Sequence, residues 1–365
     1  MKKNITTKKV SPQLPGKEIT FNVGLLHFTN PFGLELEKRL NNVPVFADKD
    51  GNNVKIEAEH VAIHEIDLDF ETKYNMIIDR GSHLFKQGIG ILMSYAFKGI
   101  YVINNPLSFH FFIENKDVGY SIANELGIKV PTTYILPPHT TPHLKGDNFN
   151  YHKLFDWEGM MEKVGFPCII KPAGGRAAIA VNKANNMDEL HYHYNQSGEM
   201  IMTVQKIVES DNEWQIRCIC VGKNIIPIKY IFRKMDLSEY IYDPEFLTPE
   251  QGKLVIDSAR IINRAFGYEM NSVEFIIDKD GIPWAIDFNN PIPDGRESVL
   301  GPVFYNDYQN GFVQRAIEVA TNKPKYLFLP ELNKFSEIAQ MPVSKEEKFN
   351  LALVEANKYY LNNQI

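Results

Sequence analysis

NSVEFIIDKDGIPWAIDFNN, residues 271–290, is the stretch on which the fold turns. Its two halves, Asn271 to Ile277 and Ile282 to Asn289, are rich in β-branched and aromatic residues, and Asp278-Lys279-Asp280-Gly281 stands between them. An Asp-Gly pair between two such runs is a strong local hairpin signal. With Asp280 and Gly281 as a two-residue loop, Lys279 faces Ile282 and Glu274 lies opposite Asp287. A four-residue loop would move the pairing by two positions and leave Glu274 on the same face. Asp287 and Asn289 are two residues apart, hence on one side of their strand. The reading therefore brings Glu274, Asp287 and Asn289 together. Val273, Phe275, Trp284, Ile286 and Phe288 are expected on the other face, packed on a core.

Two carboxylates facing each other across a hairpin repel, and burying both requires a cation or a shared proton. Carboxylate and amide oxygens, with water and phosphate completing the shell, suit Mg²⁺ (or Mn²⁺) held with a nucleotide better than zinc. An isolated Glu-Asp pair reads first as ordinary solvated surface charge. The apolar opposite face and the run Asn289-Asn290-Pro291 weigh against that.

Outward from the hairpin, Thr248-Pro249-Glu250-Gln251 supplies an N-cap, a proline at the first helical position and a capping-box glutamine. The apolar stripe Leu254, Ile261, Ile262 and Ala265 then runs to a stop at Gly267. Gln215 to Val221 and Ile225 to Phe232 flank Gly222-Lys223-Asn224 as a second hairpin, while Phe166 to Lys171 and Met200 to Glu209 read as strands around a polar helix near Met187 to Tyr194. The first half alternates strand-like Thr20 to His27, Tyr74 to Asp79 and Gly99 to Asn104 with helix-like Gly33 to Leu40 and Lys116 to Gly127; Val130 to Leu136 is a further strand. The fold class expected is α/β, becoming α+β in the C-terminal half. Residues 137–150 lack periodicity and read as a loop, and the segment after about Thr321 reads as an appendage.

A chain of 365 residues has room for two or three lobes with separate cores. No run reaches the roughly 20 apolar residues of a membrane span, and the basic start, Met1 to Lys9, has no apolar core and reads as a frayed tail. Three cysteines, with Cys218 and Cys220 on one strand face, give neither a disulfide framework nor a zinc spacing, so a reducing cytoplasm is expected. The net charge of -6 includes no basic block and does not support an extended nucleic-acid footprint. His139, His143, His152, His191 and His193 have no regular ligand spacing and read as solvated.

Lys171 ends an apolar strand before Pro172-Ala173-Gly174-Gly175-Arg176, where an ammonium and loop amides could meet phosphate. Alone, such a lysine reads as reaching solvent. In order along the chain, Asn115-Lys116-Asp117, the strand of Lys171, Val204-Gln205-Lys206-Ile207-Val208, Asn212-Glu213-Trp214, Ser272-Val273-Glu274-Phe275 and Ile286-Asp287-Phe288-Asn289 together resemble the ATP-grasp superfamily, particularly its RimK-like and D-alanine-D-alanine-ligase-like members. The resemblance covers roughly Lys116 to Ala320.

It implies an N-terminal α/β preceding domain (1–115), a central lobe (116–205), a C-terminal lobe with the hairpin (206–325) and a tail (326–365), ATP being sandwiched between the two lobes. Lys116 and Lys171 would meet phosphates, the backbone of Gln205, Lys206, Ile207 and Val208 the adenine, Glu213 the ribose, and Glu274, Asp287 and Asn289 one or two Mg²⁺. The implied reaction joins a small-molecule or peptide carboxylate to an amine through an acyl phosphate, releasing ADP and phosphate. Arg217, Arg296 and, less centrally, Arg233 could orient a carboxylate or phosphoryl group, Asp79-Arg80-Gly81 could face the acceptor, and a homodimer is compatible. The chain departs from the pattern in Gly174 to Ala180, which carries fewer glycines and an extra arginine, and at Asp287, often glutamate in the family. An altered ATP-binding module acting through partners and a small-molecule kinase are the alternatives.

Overall fold

The chain, described from a computed structural model, is followed through residues 16–27, 30–61, 67, 70–84, 87–140, 155–174, 181–233, 238–324 and 330–361. Its first sheet is built from β1 (Glu18–Leu26), β2 (Phe46–Ala47), β3 (Asn53–His60), β4 (Met76–Asp79) and β5 (Tyr101–Ile103), in the order β2-β3-β1-β4-β5. β1 pairs in parallel with both β3 and β4, and β4 with β5, as α/β alternation demands. Helix α1 (Pro31–Asn41) joins β1 to β2, α2 (Gln87–Phe97) joins β4 to β5, and α3 (Pro106–Glu114) follows β5. The order reverses at β1, so ligand-accessible loops gather at the carboxyl ends of β1 and β4.

After α4 (Lys116–Glu125), the second sheet takes β6 (Thr133–Leu136), β7 (Cys168–Pro172), β8 (Asn182–Ala184) and β9 (Met202–Lys206) in the order β6-β9-β7-β8. All its pairings are antiparallel. Helices α5 (Trp157–Val164) and α6 (Met187–Asn195) cover it, and Met160, Met161, Val164, Cys168, Ile170, Leu190 and Met202 form its own core.

The third sheet has the order β12-β11-β10-β13-β14, from β10 (Gln215–Val221), β11 (Asn224–Ile231), β12 (Glu239–Ile241), β13 (Met270–Ile277) and β14 (Pro283–Asn290). One face, with Ile216, Cys218, Val273, Phe275 and Ala285, packs on α7 (Pro249–Phe266), α3 and α4. The other, with Ile219, Val221, Ile228 and Met270, joins the core of the first sheet through α8 (Glu297–Asn322). Helix α7 has the expected ends: Thr248 and Gln251 form a reciprocal capping box and Gly267 closes it in the left-handed conformation at φ 69°. Helices α9 (Pro330–Gln340) and α10 (Lys345–Leu361) lie over α7, with Phe335, Ile338, Ala352 and Ala356 in the core.

The hairpin departs from the two-residue loop that the sequence suggests. Asp278 accepts the Gly281 amide through its backbone carbonyl (3.0 Å) and donates its own amide to Ile282 (3.0 Å), enclosing three residues, Lys279 to Gly281, with Gly281 at φ 81°. The Asp278 carboxylate drives the longer loop by accepting the amides of Asp280 and Ile282 and the Trp284 indole. Phe275 therefore faces Ala285, and Ile276 faces Trp284. Of the five residues expected on the core face, Val273, Phe275 and Phe288 are there; Trp284 and Ile286 are displaced from it and Ala285 replaces them. An irregularity between Phe275 and Glu274 then restores Glu274 opposite Asp287.

Candidate active site

Three adjacent strands set Arg217, Glu274 and Asp287 side by side. Arg217 on β10 is the register partner of Glu274 on β13, which in turn faces Asp287 on β14. Because side chains alternate along β10, Arg217 falls on the face opposite Ile216 and Cys218. Its guanidinium donates to Glu274 and to the Tyr240 hydroxyl (2.6 Å) and lies over the Tyr230 ring at 4.2 Å. Burial disfavours the charged guanidinium, yet Glu274 and the two tyrosines outweigh it and raise its pKa above the ordinary value.

The ammonium of Lys116, first residue of α4, stands 3.4 Å from Asp287 Oδ1. Burial pushes the Asp287 pKa up, and Lys116, Lys171, the Asn289 amide and Arg217 hold it below the usual carboxylate value. From β7, Lys171 donates to the Tyr120 hydroxyl (2.8 Å), Gln205 Oε1 (3.1 Å) and the Ile286 carbonyl (3.3 Å). Burial opposes its charge, and Tyr120, Asp287 and Glu274 more than compensate, so its pKa is raised. Cations from α4 and from the second sheet thus reach a carboxylate row on the third.

Register pairs Ser272 with Asn290 beyond Glu274 and Asp287, so β14 carries one extra residue there. Asn289, 3% exposed, packs where a Cβ on Gly119 of α4 would come within 3.2 Å of Nδ2. Neither the nitrogen nor the oxygen of its side-chain carboxamide has a hydrogen-bond partner. A buried carboxamide without partners is costly, and its oxygen is of the kind an oxygen-seeking cation such as Mg²⁺ takes. Among the described residues no group of three or more His, Cys, Asp or Glu gathers to offer an alternative metal site.

The other sequence candidates divide. Gln205 turns its side chain into the site, its Nε2 donating to Thr133 Oγ1 at 2.8 Å, a role beyond the backbone one expected of it. Lys206 is exposed at the end of β9, and Ile207 and Val208 leave the sheet half-buried. Glu213 is exposed before β10. Arg296 pairs with Asp294 at 2.6 Å and Arg233 with Glu239 at 2.9 Å, both outside the row. Arg80 is buried, donating to Tyr308 and to the Pro293 carbonyl, while Asp79 caps the turn at Gly81 and Ser82. Residues 175–180 and His143 and His152 lie outside the described residues; His139 stacks edge-on against Tyr194 at 5.4 Å. Tyr120, Tyr230 and Tyr240 escaped the sequence reading. The signal for Tyr120 was its place one helical turn after Lys116.

No protein-family model matches the chain, and no curated protein matches it by sequence. Solved structures do. D-alanine–D-alanine ligase from Bacillus anthracis, complexed with ATP, superposes with a TM-score of 0.52 at 16% identity, covering 84% of this chain and 100% of that one. The fold is that of the ATP-grasp proteins. A RimK domain ATP-grasp protein from Sphaerobacter thermophilus gives 0.53 at 14% identity, covering 80% and 98%. The macrocyclase MdnC from Microcystis aeruginosa, bound with precursor peptide MdnA, gives 0.55 at 13%, covering 81% and 99%. The charged row lies on the third sheet. Among the described residues no helix is long and apolar enough to cross a membrane.

Proposed function

We propose that this ATP-grasp chain is an ATP-dependent ligase that joins a carboxylate to an amine, releasing ADP and phosphate. The carrying observation is the half-buried row Arg217-Glu274-Asp287 met by Lys116 and Lys171. Phosphoryl transfer needs little covalent chemistry and much positioning and charge neutralisation, and this set offers both signs of charge on rigid elements. ATP would lie between the second and third sheets, with its phosphates toward Lys116 and Lys171, adenine at the backbone of residues 205–208 and ribose near Glu213. Glu274, Asp287 and Asn289 would hold Mg²⁺, which supplies charge stabilisation at the transferring phosphoryl group. Arg217, anchored by Tyr230 and Tyr240, would present a guanidinium to the acceptor carboxylate or to the phosphoryl oxygens.

In this reading the acceptor carboxylate attacks the terminal phosphorus, ADP departs, and an amine displaces phosphate from the acyl phosphate. The acceptor and amine are small molecules or peptides. Residues 1–115 would be the preceding domain, 116–205 and 206–325 the two lobes and 326–365 a C-terminal segment whose helices α9 and α10 pack on α7 instead of trailing as a tail, in a cytoplasmic protein. Incubation with Mg-ATP, pooled carboxylates and pooled amines should yield ADP, phosphate and a new amide, identified by mass spectrometry. Release of AMP, or no turnover across a broad panel, would overturn the ligase reading; a stable phosphorylated product would assign a kinase instead.

A further inference from the structure

Tyr120 sits on α4 one turn beyond Lys116 and is 6% exposed. Its ring packs at 4.8 Å from that of Phe288, on the strand of Asp287 and Asn289. Its hydroxyl has two partners at once, donating to the Ile286 carbonyl and accepting from the Lys171 ammonium at 2.8 Å. The same ammonium lies over the Tyr120 ring at 5.1 Å and also reaches Gln205. Gln205 is fixed in turn by Thr133, whose hydroxyl donates to the Pro131 carbonyl at 2.8 Å. Lysine side chains lose much rotamer freedom when placed in one geometry. Here a chain of hydrogen bonds, Pro131 to Thr133 to Gln205 on one side and Ile286 to Tyr120 on the other, holds the ammonium. One hydroxyl therefore ties together the helix of Lys116, the strand of Lys171 and the strand of Asp287.

We infer that Tyr120 is a positioning residue that anchors the Lys171 ammonium between the second and third sheets, so that nucleotide phosphate meets a cation already in place. The inference rests on the Mg-ATP reading for its phosphate end and on free-protein geometry for the anchor. Tyr120→Phe keeps the ring against Phe288 and removes the hydroxyl alone. Two measurements follow on the full chain. In the free protein, acetic anhydride should acylate Lys171 severalfold faster in Tyr120→Phe than in the parent, scored by peptide mass spectrometry. In titration calorimetry the Kd for Mg-ATP should rise about tenfold, the worth of a hydrogen bond to a charged group, with KM for ATP rising more than kcat falls.

Combined with Lys171→Met, Tyr120→Phe should add no further loss of Mg-ATP affinity, because both act through one ammonium. Unchanged acylation of Lys171, or losses that add in the double variant, would overturn the anchor. Wild-type protein that binds no Mg-ATP would overturn the nucleotide reading, while faster Lys171 acylation in Tyr120→Phe would still uphold the anchor.

Discussion

At the residue scale, two side chains make the sharpest statements. Asp287 is a half-buried carboxylate kept charged by Lys116, Lys171 and Arg217. Asp287→Asn should lower Mg-dependent turnover about 100-fold, as loss of a metal-holding group does. Its Lys116 partner is half-buried, and the cost to folding should stay near 1 kcal/mol. Steady-state kinetics and a thermal melt on the same preparation check the split; unchanged turnover would remove Asp287 from the site. His27, buried beneath Gly33, is held neutral: burial, then His60 and Arg80, lower its pKa from 6.5 to about 4. The unfolded chain therefore binds a proton that the fold resists as the pH falls through this window. Stability from His27 is present above 6.5 and should decline by about 3 kcal/mol by the time the pH reaches 4. Urea unfolding across that range should show the decline, and His27→Gln should flatten it; an identical slope in the variant would sink the assignment. The carboxylates, Asn289 and both lysines were legible as residues because their chemistry survives in one dimension. Tyr120 was not, since a tyrosine at helical spacing looks like core until its hydroxyl is seen between two strands.

At the element scale, legibility followed local rules. The Thr248 capping box and the Gly267 stop are written in adjacent residues and were realised as read. The hairpin was placed correctly and its loop was not, because Asp278 recruits two amides and an indole that no dipeptide rule includes. Glu274 met Asp287 through an irregularity that offset the longer loop. Such compensation depends on packing from both sides of the sheet and leaves no sequence signature. Gln251 joins the two elements: it completes the capping box and donates from Nε2 to the Gly281 carbonyl at 2.9 Å. Gln251→Ala should cost about 1–2 kcal/mol, from a lost cap and a lost hydrogen bond. It should also speed amide hydrogen exchange at Gly281 and Ile282, and exchange unaltered there would show the hairpin turn to be independent of α7.

At the scale of the molecule, buried polar contacts sew the first sheet to the third. Asn104, just after β5, donates to the carbonyls of Met270 and Pro291 and accepts the amides of Glu269 and Met270. Nearby, Arg315 of α8 pairs with Glu269 at 2.6 Å and donates to the hydroxyls of Tyr101 and, from α10, Tyr359. The sequence divided the chain into successive segments and could not foresee this, because the partners are far apart in sequence. Arg315→Met leaves Glu269 charged in a buried site and should destabilise by about 3–5 kcal/mol. Tyr359→Phe deletes one hydroxyl from the same network and should cost about 1–2 kcal/mol. Equal melting temperatures for the two variants would refute the ranking.

That stitching has a mechanical consequence. The first and third sheets share one core across α8, whereas the second sheet closes on its own core and meets the third through side chains such as Lys171. The molecule is thus an anvil and a jaw. Sheets one and three form the anvil, carrying the carboxylate row and holding Leu126, Ile128 and Lys129 against it, and the second sheet is the jaw, joined to it through residues 131–132 and 207–214. Comparing structures with and without Mg-ATP should give a near-rigid rotation of the second sheet with α5 and α6 against an anvil whose Asn104 contacts stay fixed. A substrate gripped between them would be squeezed by one moving part.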